Sequence, residues 1–174
     1  MQLIAKDGIQ HLTTKNIAVA MGFTEPSIYR HFKNKTAILE GILHYYRGQM
    51  KVEMQQIQQS KMNTLEQWLA MIDAQFAYFS KHPAISIVIF SDSIFQHEKS
   101  LAKTVKGIIE RKVKLTDNMM AAGQEEGVIR KDVAPTELTT MYIGSIRFTL
   151  LKWKLSGYAF DLNKEAKKLR KTLP

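Results

Sequence analysis

The stretch from Thr13 to Lys35 reads TTKNIAVAMGFTEPSIYRHFKNK, and it holds the residues whose types and spacing best suit work on a partner molecule. Thr13 and Thr14 can cap a short helix that carries Ile17, Ala18 and Met21, and Gly22 stops it. Thr24 can cap the next helix, with Pro26 accommodated because its missing N–H falls in the first turn. Two short helices joined by a glycine-containing turn make a helix-turn-helix. Ile28, Tyr29 and Phe32 mark the inner face of its second helix, which leaves Glu25, Ser27, Arg30 and His31 outside. These short or cationic groups suit a major groove about 12 Å wide, and the unpaired N–H groups of a helix start suit a phosphate oxygen. Most amphipathic helices also have a polar outside, so spacing alone leaves groove reading and a merely solvated face both open.

Other reactive residues do not converge. The sequence contains no G-x-G-x-x-G, phosphate-binding loop, G-x-S-x-G or H-E-x-x-H string. The five histidines, His11, His31, His44, His82 and His97, have no metal-ligand spacing with one another. Asp92 and His97 lie five apart, too far around a helix to meet, and Glu125-Glu126 reads as a solvated pair beside a glycine turn. With 0 cysteines, disulfides, thiol nucleophiles and cysteine metal sites are excluded. The expectation is a protein that is not an enzyme and uses no cofactor or metal.

The elements that must position Thr13–Lys35 are helical, because the apolar spacing keeps the 3.6-residue period throughout. Leu3 and Ile4 belong to a first helix ending at Gly8; Asn34 caps a long helix from there to about Lys61, along Ile38, Leu39, Ile42, Leu43, Tyr46, Met50, Met54 and Ile57. Further helices are expected from about Asn63 to Lys81, from Ala84 to about Phe95, from Leu101 to the glycines at 123 and 127, from Pro135 to Gly157, and from Leu162 to Leu173. No apolar stretch approaches the ~20 residues of a membrane span, and the N-terminus has no basic start followed by an apolar run. A cytoplasmic protein with no membrane partner is expected.

Charge points the same way as the motif. The chain carries 25 Lys and Arg against 16 Asp and Glu, net +9, and the part before residue 52 is denser in positive charge, with seven basic and three acidic residues. Such an excess favours acidic partners, nucleic acid first, or serves solubility alone.

The run from Leu12 to Leu43, LTTKNIAVAMGFTEPSIYRHFKNKTAILEGIL, resembles the DNA-binding domain of the TetR family of transcriptional regulators. The shared features are Thr at the start of helix two, Ile-Ala in its core, Gly-aromatic in the turn, then Tyr-x-His-Phe and a following Lys. The resemblance implies an all-α fold: a three-helix helix-turn-helix domain over 1–45, then a helical-bundle ligand-binding and dimerisation domain over 46–174. It implies that Thr14, Tyr29, His31 and Lys35 touch the DNA backbone, that Lys15, Glu25, Pro26 and Ser27 sit near base edges beside Thr24, and that Arg30 serves either purpose. Ile17, Ala18, Phe23, Ile28 and Phe32 are expected to be core. The pattern departs from the family in its first helix, which here has only about two turns before Gly8.

For the larger domain the resemblance implies a small-molecule effector, of unknown identity, that acts through the long fourth helix. Candidate liners are Trp68, Ile72, Phe76, Phe79, Phe90, Met119, Met120 and Tyr142, since methionine and aromatic side chains build adaptable apolar cavities; each also reads as ordinary core. Arg147, a cation among apolar neighbours, is expected to pair with Asp73 or Asp117 or to meet an anionic ligand. By the same analogy the last two helices supply a homodimer interface, with Gly144 and Ser145 beside Tyr142, Phe148, Leu151 and Leu155. The segment KEAKKLRK from Lys164 to Lys171 reads as a solvated face. The function implied is a ligand-responsive regulator, a repressor, holding a palindromic operator in double-stranded DNA. The alternatives are a DNA-bound architectural protein whose helical body recruits a protein partner, and a small-molecule carrier with a vestigial DNA-binding unit.

Overall fold

The computed structural model describes residues 3, 4, 8–91 and 98–172 of the chain. Asp92, His97, the end of the helix expected to reach Phe95, and Leu173 lie outside the described residues. Every regular element among the described residues is helical. Leu3 and Ile4 are helical, a 3-10 turn follows at Ile9–His11, and eight α-helices come next: α1 (Thr14–Met21), α2 (Glu25–His31), α3 (Lys35–Gln58), α4 (Thr64–Lys81), α5 (Pro83–Ile89), α6 (Lys99–Glu125), α7 (Pro135–Leu155) and α8 (Leu162–Thr172). None of them is long and apolar enough to cross a membrane.

The chain divides into two compact units, Met1–Gln49 with His82–Gly107, and Met50–Lys81 with Ile108–Pro174. In the first, Ile4, Leu12, Ala18, Ile28, Leu39, Leu43 and Tyr46 are buried, together with almost every residue of α5. A helix this short and apolar on all sides belongs inside a core. Its one buried hydroxyl, Ser86, is satisfied by donating to Pro83 O at 2.7 Å. Asn34 caps α3 as expected, its Oδ1 accepting from Ala37 N at 2.8 Å.

The second unit is built on α4, whose buried residues Trp68, Met71, Ile72, Gln75, Phe76 and Phe79 recur at helical spacing. Asn63 and Glu66 cap that helix reciprocally: each side chain accepts from the other residue's N–H, both at 2.9 Å. Glu126 is more than a solvated carboxylate, since it accepts from the Thr64 hydroxyl and from Thr64 N at 3.3 Å. α7 buries Leu138, Thr139, Tyr142, Ile146, Leu150 and Trp153. α8 packs on α4 and touches α7. Arg170 pairs with Asp73 across the α4–α8 packing, and because both groups stay well exposed the pair adds little stability. Of the KEAKKLRK segment, Lys164, Lys167, Lys168 and Lys171 face solvent while Ala166 is buried. Gly123 is required by packing, because a Cβ there would stand 2.8 Å from Ile129 Cγ1.

The helix boundaries follow the expected stops closely. α3 ends a few residues early, at Gln58, because Ser60 closes the chain back on Ile57 O through its N–H at 3.1 Å and its hydroxyl at 2.5 Å. That local competition for a carbonyl is typical of serine at helix ends.

Candidate functional site

The helix-turn-helix is assembled from local hydrogen bonds that its sequence supplies. Thr13 Oγ1 accepts from Asn16 N at 3.1 Å and starts α1. Gly22 takes the left-handed conformation, φ 68°, and Phe23 N then reaches back to Ala18 O at 2.9 Å, so α1 ends where glycine removes the Cβ clash. Pro26 lies in the first turn of α2. Ala18 and Ile28 are buried where α1 and α2 pack together. Thr24 occupies the cap position, but its hydroxyl bonds the Ser27 hydroxyl at 2.8 Å instead of the backbone.

A polar cluster joins the two helices. The Thr14 hydroxyl donates to Glu25 Oε1 at 2.6 Å and stands 3.2 Å from the Tyr29 hydroxyl. Thr14 is therefore buried and Glu25 half-buried, while Lys15, Thr24, Pro26, Tyr29, Arg30 and His31 are exposed and Ser27 is half-buried. Lys35 is half-buried, and its ammonium donates to Ile9 O at 2.5 Å. Burial lowers its pKa, and the nearby Glu98 carboxylate partly opposes that shift. The surface left by α2 is cationic and polar, and its register is set by the buried threonine beneath it.

Two aromatic residues expected in the core are not there, and Tyr29, expected on the inner face of the second helix, is exposed. Phe23 is 57% exposed, because the turn that begins at Gly22 uses its backbone, not its ring, to close the helix. Phe32 sits at the C-cap of α2 at the edge of the core, its ring edge 3.4 Å from the position of a Cβ on Gly41. Ile17 is half-buried, and Met21, counted among the apolar residues of α1, is exposed.

In the second unit Trp68, Ile72, Phe76, Phe79, Met119, Met120 and Tyr142 are all buried. The Trp68 and Tyr142 rings meet edge to face with centroids 5.5 Å apart. Phe90 belongs to the first unit and is half-buried. Arg147 is exposed on α7, and Asp73, one of the two acids expected to pair with it, is held by Arg170. A cation with a buried amine stands at Lys112 on α6. Its amine donates to Gln75 Oε1 and lies 5.1 Å from the centre of the Tyr142 ring. The Tyr142 hydroxyl donates to the same Gln75 oxygen at 3.3 Å. The residue as a whole keeps some exposure, but protein surrounds its amine, and that burial lowers the pKa to about 7. The signal for Lys112 was in the sequence: it falls on the stripe Val105, Ile108, Thr116 and Met119 at intervals of three and four.

The opposite face of α7 is apolar and exposed. Met141, Phe148, Leu151 and Leu155 follow one another at helical spacing, with Phe148 62% and Leu155 77% exposed, and Gly144 and Ser145 lie between them. Lys152 covers part of Phe148, its ammonium 5.6 Å from the ring centre. Single exposed apolar residues are ordinary; a stripe along one helix marks a surface that meets another.

Known proteins share both halves of this arrangement. Residues 1–42 match the description "Bacterial regulatory proteins, tetR family", and residues 46–173 match "YsiA-like protein, C-terminal region". The fatty acid metabolism regulator protein of Bacillus subtilis is 23% identical over 93% of this chain and 83% of its own length. A nucleoid occlusion factor of Idiomarina loihiensis is 24% identical over 59% of this chain, and the match spans only 52% of that protein. Among solved structures, FadR of Bacillus halodurans superposes with TM-score 0.84 at 20% identity, covering 99% of this chain and 89% of that one. MbdR of Azoarcus sp. CIB gives 0.86 at 23% identity over 99% and 91%. FadR of Bacillus subtilis in complex with stearoyl-CoA gives 0.81 at 22% over 99% and 92%. With a paired helix-turn-helix at one end of the sequence and a matching bundle over the rest, the chain belongs to the TetR family of bacterial transcriptional regulators, with a YsiA-like C-terminal region.

Proposed function

We propose that this chain is a homodimeric, cytoplasmic repressor that holds a palindromic DNA operator and is released by a small amphipathic effector carrying an acyl chain. The observation that carries the reading is the open outer face of α2: Pro26, Tyr29, Arg30 and His31, with Lys15 from α1, are exposed above a turn fixed by Thr14 and Glu25. Arg and Lys can donate to guanine O6 and N7, and the second carboxylate oxygen of Glu25 can accept from cytosine N4. Tyr29 and His31 contribute phosphate contacts that set register, joined by the ammonium donors of Lys35 that Ile9 O leaves free, while Thr14 acts from beneath through Glu25. The exposed stripe of α7 supports pairing of two chains, which a palindrome with half-sites about 34 Å apart requires. The acyl class rests on relatives solved with stearoyl-CoA and, in Thermus thermophilus FadR, lauroyl-CoA.

Selection of bound sequences from a random duplex pool tests the DNA reading, and a two-fold symmetric consensus is the expected result. Addition of lauroyl-CoA or laurate then releases the selected duplex. Enrichment of no sequence would overturn the repressor. A second reading, a DNA-bound protein whose body recruits a partner protein, draws on the likeness to the nucleoid occlusion factor; DNA binding that no acyl compound alters, with a copurifying partner, selects it. A Phe148→Glu change in the α7 stripe is expected to yield monomers in sedimentation; an unchanged dimer would place the interface elsewhere.

A further inference from the structure

The polar groups buried in the second unit do not balance. Around Lys112 the groups that can only donate outnumber those that can only accept, and the hydroxyls of Thr116, Thr139 and Tyr142 can do either. The amine donates to Gln75 Oε1, and that oxygen already takes the Tyr142 hydroxyl. Trp68 Nε1 can only donate. It is buried without a hydrogen-bond partner, two turns before Gln75 on the same face of α4, with its ring against that of Tyr142. Thr116 Oγ1, one turn after Lys112 on α6, and Thr139 Oγ1, one turn before Tyr142 on α7, are also buried with no partner among the described residues. Buried donors left unmade are costly, and they are rare enough in folded proteins to need an explanation.

Among the described residues no carboxylate bonds to this cluster, although Asp117 Oδ1 is itself buried without a partner. Asp73, on the helix that carries Gln75, is engaged by Arg170. Asp117 stands five residues beyond Lys112, about 140° around the helix. From α7 the titratable group that faces Lys112 is the Tyr142 phenol. A water molecule would bring two donors with its acceptors, whereas a carboxylate brings two oxygens that only accept. The surrounding core, Ile72, Phe76, Phe79, Met119 and Met120, is apolar.

We infer that Lys112, with Trp68, Thr116 and Thr139, forms the recognition site for the carboxylate of an apolar effector, so that the ligand is a free acid inserted head-first into the bundle. This rests on reading the second unit as the effector domain. The carboxylate accepts from the ammonium and the neighbouring donors, and Lys112, which burial leaves largely neutral above pH 7, takes up a proton from solvent as the anion enters.

Titration calorimetry on the full chain tests this with octanoate, laurate and palmitate, the corresponding alcohols, and lauroyl-CoA, at pH 8 in two buffers of different ionisation enthalpy. The best carboxylate is expected to bind at least about tenfold more tightly than its alcohol, with uptake of about one proton per site. Lys112→Met is expected to abolish both the uptake and the preference, and Thr116→Val to narrow the preference. The uptake is measured on the unaltered protein, so it stands even where a variant folds poorly. Alcohols binding as well as acids, acids binding without proton uptake, or lauroyl-CoA alone binding would each overturn the carboxylate site and leave the effector domain standing. If none of these compounds binds or changes affinity for the selected duplex, the site and the acyl-effector reading fall together.

Discussion

The helix-turn-helix and the core of the bundle use polar residues in opposite ways. In the first, the polar groups that fix the turn and its flanks have partners: Thr14 is held by Glu25, Thr24 by Ser27, and Lys35 by Ile9 O. The outer face is left exposed and fixed in register. In the second, Lys112, Trp68, Thr116 and Thr139 are enclosed while their hydrogen-bonding capacity is only partly met. A satisfied cluster rigidifies the element that carries it, and an unsatisfied one stores free energy that a complementary ligand can recover. One region has its polar groups satisfied beneath an exposed face, and the other encloses polar groups that are only partly satisfied, which is why a ligand is proposed for the second.

The contrast is open to disruption at several strengths. The largest effect is expected from Phe76→Ala, which empties a fully buried site in α4 and should cost about 3–5 kcal/mol of stability in denaturant unfolding. A loss below about 1 kcal/mol would mean that the bundle core is loosely packed. Next comes the pH dependence set by Lys112. Its pKa is about 7 when folded against 10.5 ordinarily, so between those values the unfolded chain holds a proton that the folded chain has lost. Stability therefore rises with pH across that window, by about 2 kcal/mol from pH 7 to pH 9. Lys112→Met removes that slope, and identical slopes in the two proteins would show the amine to be solvated. In the helix-turn-helix, Thr14→Val leaves Glu25 without its donor and should cost about 1–2 kcal/mol. The smallest effect is expected from Asn34→Ala, about 1 kcal/mol through loss of the α3 cap, read as a modest shift in the unfolding midpoint.

Helix positions and caps were legible because they depend on neighbours in sequence. Thr13, Gly22, Pro26 and Asn34 act within a turn of where they stand, and the stops at Lys81 and Leu155 follow from His82-Pro83 and Gly157. What the pattern missed depends on helices crossing. The bond between Thr14 and Glu25 spans 11 positions and exists only because α1 and α2 pack together. Phe23 reads as core by type, yet the turn geometry leaves its ring outside. Arg147 stands beside apolar residues in sequence, yet its position on α7 is exposed, because a neighbour in sequence is not a neighbour across a helix face. Lys112 occupies the apolar stripe of α6 by register, and it was the better candidate on that ground.

The claim that most needs testing is that the face of α2 reads bases from a scaffold held by Thr14 and Glu25. Fluorescence anisotropy with the selected duplex and with a random one measures it through Glu25→Gln, beside Lys35→Ala as the phosphate-contact control. Glu25→Gln is expected to change base preference at one position per half-site while affinity for random DNA is kept, and Lys35→Ala to weaken both duplexes alike and flatten the salt dependence. Equal losses on the two duplexes for Glu25→Gln would contradict the account.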